Sequence, residues 1–410
     1  MQTTLAPEFK GTPDGDAAEA ILRKCVHCGF CTATCPTYQL LGDELDGPRG
    51  RIYLMKQVLE GAEPTRATQT HLDRCLTCRN CESTCPSGVQ YGALVEIGRR
   101  IVDDKVPRPA GERAARWALK EGLTSPLFKP AMALGRLLRP LVPAALKDKV
   151  PATPPPQARR WPQRTHARKV LMLAGCVQPA MLPNINAATA RVLDAAGIQT
   201  LVAADAGCCG AIRAHLNDHD GGLADMRRNV DAWWPLVERG EVEAIVMNAS
   251  GCGATVKDYG HALARDAAYA ERAARISAMT KDLSELLPDL VAALAPRLAG
   301  ASRRTIAFHP PCTLQHAQQL RGGVEAGLRE LGFTVVLPAE SHLCCGSAGT
   351  YSVLQPELSH QLRDRKLGHL SAQKPEAIAS ANIGCIQHLQ SGTTTRVAHW
   401  VELLDEALVS

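Results

Sequence analysis

Two short runs of cysteine limit what this 410-residue chain can fold into. One is Cys25-Val-His-Cys28-Gly-Phe-Cys31-Thr-Ala-Thr-Cys35-Pro36, and the other is Cys75-Leu-Thr-Cys78-Arg-Asn-Cys81-Glu-Ser-Thr-Cys85-Pro86. Both read C-x2-C-x2-C-x3-C-P. Three thiols at three-residue intervals can wrap one bulky soft group, and the proline after the fourth turns the chain away. A zinc site would need two short pairs rather than a triple. Disulfides would need an oxidising compartment.

The spacing is the ligand run of a bacterial-type ferredoxin with two [4Fe–4S] clusters, in which the fourth cysteine of each run serves the other cluster. The expected sets are therefore Cys25, Cys28, Cys31 and Cys85 for one cluster, and Cys75, Cys78, Cys81 and Cys35 for the second. Electron transfer is the first functional expectation. Between the runs, Gly47-Pro48-Arg49-Gly50 predicts a turn and Arg51 to Glu60 a helix stopped by Gly61. Arg49 and Arg51 follow the first run and are candidates to raise the potential of its cluster, or are ordinary turn and helix-start residues.

The other eight cysteines repeat at long range. Cys208-Cys209-Gly210 follows Cys176 as Cys344-Cys345-Gly346 follows Cys312, with 32 residues from the lone cysteine to the pair in each case. A fourth cysteine, Cys252 or Cys385, closes each set, so the second half of the chain reads as two copies of one unit. Strands expected at Val170–Ala174, Thr200–Ala204, Ala244–Met247, Ile306–Phe308, Thr334–Leu337 and Ala377–Ala379 alternate with helices, including Asn186–Ala196 and Ala224–Glu238. That is the pattern of a parallel sheet covered by helices. Every cysteine of the two sets falls just past a strand's carboxyl end, the edge where such sheets bind ligands. Cys176, Cys208, Cys209 and Cys252, and likewise Cys312, Cys344, Cys345 and Cys385, are candidate sites for a further cluster or metal. The alternatives are buried structural thiols or a redox disulfide at each adjacent pair. His309, His316, His342 and His388 are candidate ligands or supporting donors.

The predicted organisation is a mostly helical (α+β) two-cluster module at 16–105, a basic and apolar connector at 106–165, and two α/β repeats at 166–300 and 301–410. In the connector, Pro126, Pro130, Pro140 and Pro143 are expected to break short helices, and 151–156 to form an extended spacer. Between Arg113 and Lys149 only Glu121 and Asp148 oppose the basic residues, although the whole chain carries only +5. That segment suggests peripheral membrane or partner contact, with a solvated linker packed on the domains as the plain alternative. No nucleic-acid partner is expected. A polar start without an apolar core and the abundance of cysteine suggest a cytoplasmic protein, at most peripheral on the inner membrane.

The stretches CVHCGFCTATCPTYQLLGDELDGPRGRIYL (25–54), LDRCLTCRNCESTCPSG (72–88), AGCCGA (206–211), SGCGA (250–254), CTLQHAQ (312–318), HLCCGSAGTY (342–351) and ANIGC (381–385) resemble the iron–sulfur subunits of glycolate oxidase over nearly the whole chain. The repeats resemble the cysteine-rich CCG domain shared with heterodisulfide reductase. The resemblance implies two [4Fe–4S] clusters here and FAD on a partner subunit, which oxidises glycolate to glyoxylate and often D-lactate to pyruvate. Electrons would then pass through this chain to a quinone-type acceptor. No residue of this chain is expected to act at carbon, consistent with the lack of a GxGxxG fingerprint. The alternatives are service to another FAD-linked dehydrogenase (anaerobic glycerol-3-phosphate or D-lactate) and a thiol–disulfide enzyme centred on the CCG pairs. One departure stands out. Heterodisulfide reductase CCG domains end in CxxC, with five cysteines, whereas here the ends read Cys252-Gly-Ala-Thr255 and Cys385-Ile-Gln-His388. Each unit has four, which puts a non-cubane cluster in question.

Overall fold

A computed structural model describes residues 1–141, 150, 157–298 and 304–409. The N-terminal part is helical. Helix Pro13–Lys24 starts with Thr12 accepting from Gly15 N at 3.1 Å, carries Asp14 and Asp16 in its first turn and ends on Arg23 and Lys24. Each feature suits the helix dipole and its unpaired amides. With Pro48–Leu59, Arg66–Asp73 and Tyr91–Lys105 it buries Leu22, Ile52, Met55, Leu72, Leu94 and Val102. The helix expected at Arg51 begins three residues earlier, because Pro48 fits the first helical turn rather than the turn before it.

Two four-stranded sheets follow. Strands β1 (Arg168–Met172), β2 (Ile198–Leu201), β3 (Ala244–Met247) and β4 (Thr280–Asp282) lie in the order β2-β1-β3-β4. Strands β5 (Thr305–Phe308), β6 (Thr334–Val336), β7 (Ala377–Ser380) and β8 (Arg396–His399) repeat that order as β6-β5-β7-β8. Every pairing is parallel, as Val170 opposite Ala244 and Ile306 opposite Ala377 illustrate. Central strands such as AIVM (244–247) are buried on both faces, so they read as apolar runs without alternation. The two sheets share one core. Helices Asn184–Ala195, Leu287–Leu298 and Trp400–Ala407 fill it with Ile185, Val192, Leu290, Leu294, Trp400 and Leu404.

The expected strands fall in place with shifted ends. β1 and β2 each begin two residues before the predicted start and end before the predicted stop, since Ala174 and Ala204 already belong to the turns carrying the cysteines. The edge strands β4 and β8 were not anticipated. They are short, polar at Lys281 and Arg396, and lack the apolar run that marks a central strand.

The connector differs from expectation in two ways. Residues Ala110–Thr124 form one uninterrupted helix, and Pro130 sits inside the first turn of helix Phe128–Leu137 instead of breaking it. Two of its basic residues are also tied down rather than free. Arg116 pairs with Asp73 at 3.1 Å and Lys120 with Asp218 at 3.0 Å, so they tie the helical module to the first repeat. The exposed feature is instead apolar: Leu127, Leu134, Leu137, Leu138 and Leu141 all face solvent. Pro143 and the spacer at 151–156 lie outside the described residues. No helix among the described residues is long and apolar enough to cross a membrane.

Candidate electron-transfer site

The two N-terminal runs adopt the same local fold. Cys25 and Cys75 each lie just past the end of a helix, their amides bonding to Leu22 O and Leu72 O. Two residues on, His27 (φ 56) and Thr77 (φ 51) are left-handed; four residues on, Gly29 (φ 84) and Arg79 (φ 59) are too. A β-branched threonine in that region is strained. Arg99, which donates to Thr77 Oγ1 at 3.0 Å, holds it there. The loop curls around its thiols, and Thr77 N donates to Cys75 Sγ at 3.4 Å. Short helices Phe30–Ala33 and Asn80–Thr84 then pack on each other and carry Cys35 and Cys85 across to the opposite run.

The outcome is two mixed groups. Cys25, Cys28, Cys31 and Cys85 line one cavity, bordered also by Cys81, Arg49 and Tyr91. Burial, then the neighbouring thiols Cys25, Cys28 and Cys85, push the Cys31 thiol up to about 11. In the other group, burial and then Cys78, Cys75 and Cys35 push Cys81 well above its ordinary value. The thiols crowd in these two sets with left-handed loops around them, a soft donor set that fits a multi-iron group.

The surroundings of the two groups differ. Cys28 is exposed, beside Val26 (69% exposed) and Phe30 (61%). The second group is enclosed and flanked by two buried guanidiniums. Arg51 bonds Thr37 Oγ1 at 3.2 Å and His71 O at 2.7 Å and faces Asp46 at 3.3 Å; Thr37 in turn lies 3.3 Å from Cys35 Sγ. Arg99 donates to Leu72 O and Cys75 O. Burial works to raise the Cys75 thiol, but the charges of Arg51 and Arg99 outweigh it and hold it below its ordinary value. The sequence singled out Arg51, but for the first run's cluster, whereas its guanidinium lies by Cys75 and Cys35 of the second group. Arg99 lies outside the motifs, and only its spacing on a helix facing the second run could have flagged it.

The repeat cysteines also converge. In the first repeat Cys176 Sγ and Cys208 Sγ are 3.5 Å apart, and Cys209 links Cys208 to Cys252. Hydrogen bonds from Cys176 and Cys209 hold the Cys208 thiol well below its ordinary value. In the second repeat Cys312, Cys344, Cys345 and Cys385 form a similar row. No disulfide joins any of the sixteen cysteines. The glycine after each pair is required twice over. Gly210 (φ 94) and Gly346 (φ 88) are left-handed, and a Cβ there would lie 2.8 Å from Gly222 O and 2.5 Å from Ser359 O. Gly346→Ala is expected to cost about 2–4 kcal/mol, read as a lower denaturation midpoint; a change within about 0.5 kcal/mol would contradict the strained-turn account.

The second repeat sits directly on the second cysteine group. Leu76, Cys78, Cys312, Cys344, Tyr351 and Leu362 form one cluster. Burial, and after it Cys312, raises the Cys78 thiol. Tyr351 Oη donates to Arg74 O at 3.1 Å, Asn80 Nδ2 to His342 O at 3.2 Å, and Ser83 Oγ lies 2.8 Å from His316 Nδ1. Of the four candidate histidines, His316 thus joins the two parts from a π-helical turn after Cys312, a distortion common at functional sites. His342 contributes its carbonyl there. His388 is held by Ser359, while His309 lies against Cys345 and Cys385. At the facing sheet edges, Ser250 N donates to Ala381 O, and Asn382 accepts from Gly251 N while lying 3.6 Å from Cys385 Sγ.

The sequence matches two family models: a 4Fe-4S dicluster domain over residues 21–89, and a cysteine-rich domain over 170–257 and again over 306–390. The chain is 55% identical over 409 residues to the glycolate oxidase iron-sulfur subunit of Escherichia coli (strain K12), covering 100% of this chain and 99% of that one. It is 30% identical over 443 residues to the probable glycolate oxidase iron-sulfur subunit of Bacillus subtilis (strain 168), covering 98% and 96%. Lactate utilization protein A of Exiguobacterium sp. (strain ATCC BAA-1283 / AT1b) matches at 24% over 249 residues, covering 58% of this chain and 98% of that one. With two ferredoxin-type runs, two repeated parallel-sheet units and end-to-end similarity, the chain belongs to the family of glycolate oxidase iron–sulfur subunits, which carry electrons within an oxidoreductase.

Proposed function

We propose that this chain takes electrons from an FAD-bearing subunit that oxidises glycolate to glyoxylate, and also D-lactate to pyruvate, and passes them to a quinone-type acceptor. The observation that carries this reading is the crossing of the two runs, which puts two sets of four thiols side by side. In the proposal Cys25, Cys28, Cys31 and Cys85 hold one [4Fe–4S] cluster, and Cys75, Cys78, Cys81 and Cys35 the other. Each cluster, when bound, supplies one-electron transfer at a potential set by charge and hydrogen bonding around its sulfurs.

The protein's own groups give the relay a direction. Arg99 brings a buried positive charge to the second set and Arg51 adds one that Asp46 partly offsets, which favours the more negative, reduced state of that set. The first set faces solvent at Cys28, between Val26 and Phe30, and we assign that surface to the flavin subunit. Phe30→Asp is expected to weaken assembly with that subunit at least tenfold, a cost of about 1.4 kcal/mol, while leaving iron content unchanged. Unaltered co-purification would remove Phe30 from the interface.

The leucines Leu127, Leu134, Leu137, Leu138 and Leu141 recur at helical spacing on the exposed side of the connector. They support peripheral contact with the membrane where a lipid-soluble acceptor resides, whereas the basic Arg116 and Lys120 are paired within the protein. Leu134→Asp with Leu137→Asp should abolish co-sedimentation with phospholipid vesicles; binding that survives both changes would count against lipid contact. The similarity to lactate utilization protein A supports a second reading, in which the same architecture serves a lactate-oxidising partner.

A further inference from the structure

The two repeats are not equivalent at their thiols. In the second, a ring nitrogen of His309 and the Sγ atoms of Cys345 and Cys385 lie within 4.8 Å of one another. His309 directly follows β5 and is fully buried. A single serine fixes where its proton lies. Ser380 Oγ donates to the His309 carbonyl oxygen at 3.1 Å and also sits 3.1 Å from His309 Nδ1. A hydroxyl has one proton. With that proton on the carbonyl, Nδ1 must be the donor to Oγ, and Nε2 keeps the bare lone pair. Nε2 is buried and has no hydrogen-bond partner. An imidazole oriented through one nitrogen, with the other free, is the usual arrangement of a metal-binding histidine.

The first repeat supplies the comparison. Leu173 N donates to Val246 O as His309 N donates to Ala379 O, so Leu173 occupies the same place after the corresponding strand. Leu173 is buried and apolar, which means the fold itself does not need a polar group there. A second asymmetry points the same way. Lys366 is 2% exposed, donates from Nζ to Glu340 O at 2.6 Å and lies near Cys312, Cys344 and Cys345. A buried ammonium calls for negative charge beside it. The corresponding helix of the first repeat instead turns the neutral Asn229 inward, which donates to Cys208 O at 2.8 Å.

We propose that His309 Nε2 is a ligand, together with the cysteines of the second repeat, to an iron centre held by that repeat, and that the first repeat offers thiols only. The proposal rests on reading Cys312, Cys344, Cys345 and Cys385 as a metal site. His309 supplies a fifth donor to a set of four cysteines. As a neutral fifth donor, the imidazole lacks the negative charge a fifth thiolate would bring and so keeps the potential of the iron centre higher, which suits a site packed against Cys78 as the next acceptor.

The test uses the full chain, produced and purified without oxygen. Wild type is compared with His309→Leu, which copies Leu173, His309→Cys, which returns a soft donor, and Cys385→Ser. Iron is counted, and the reduced protein is examined by pulsed EPR for coupling to a histidine nitrogen. Expected are iron beyond that of two [4Fe–4S] clusters and a nitrogen coupling in the wild type. His309→Leu should lose both, and His309→Cys should recover the iron without the coupling. If both His309 variants lose the iron, the wild-type coupling decides: its presence supports ligation and its absence overturns it. Excess iron that persists in His309→Leu but disappears in Cys385→Ser overturns His309 as a ligand while sparing the thiol site. A wild type with no excess iron overturns both.

Discussion

Cys85→Ser is expected to destroy the same centre as Cys28→Ser, although Cys85 belongs to the other run. Each variant should lose about four of about eight ferredoxin-type irons and leave an identical residual EPR spectrum after reduction. Cys35→Ser should pair in the same way with Cys78→Ser. The expectation follows from the fold. Helices Phe30–Ala33 and Asn80–Thr84 pack together and exchange the two fourth cysteines, so Cys85 lines the cavity of Cys25, Cys28 and Cys31. Cys35 instead crowds Cys81. If Cys85→Ser matched Cys78→Ser, each run would serve its own centre and the crossing would be wrong.

Asp46→Ala should damage the second centre more than any other change outside the cysteines. Asp46 is buried and meets Arg51 at 3.3 Å, Arg74 at 2.8 Å and His71 Nδ1 at 3.1 Å. Its backbone oxygen accepts from Thr37 Oγ1 at 2.8 Å, next to Cys35. Removing the carboxylate leaves Arg51 as a buried charge without its counter-ion, which costs about 3–5 kcal/mol. Arg51 would then turn from an ordered support of Cys35 and Cys75 into a source of strain. Loss of the iron–sulfur absorbance in denaturant should move to a markedly lower midpoint, with the second centre going first. A destabilisation under about 1 kcal/mol would mean that the network is solvated and does not support the site.

Much of this site was legible because its chemistry demands fixed spacings. The two C-x2-C-x2-C-x3-C-P runs, the 32-residue spacing and the CCG glycines can be read directly. The central strands were visible as apolar runs and the edge strands β2 and β6 were also expected, but β4 and β8 were not, since each is short and carries polar residues such as Lys281 and Arg396, which an edge strand paired on one side only tolerates. The basic connector left two readings open for a different reason. Charge counted along a sequence says nothing about partners far away in it, and Arg116 and Lys120 find theirs in Asp73 and Asp218. The same holds for Arg99, whose guanidinium reaches Thr77 and Cys75 only once the helices have packed. His309 was one of four candidate histidines, and only the hydrogen bonds of Ser380 and the facing sulfurs set it apart.

The relay itself is tested most directly by assembling the chain with its flavin subunit, adding glycolate without oxygen, and freezing samples for EPR during the first turnovers. The account predicts that the signals of both reduced [4Fe–4S] centres grow in with glycolate oxidation, and that Cys28→Ser blocks reduction of the second centre while the flavin is still reduced. Glyoxylate forming through many turnovers with an artificial flavin oxidant, while both centres stay oxidised before it is added, would contradict it.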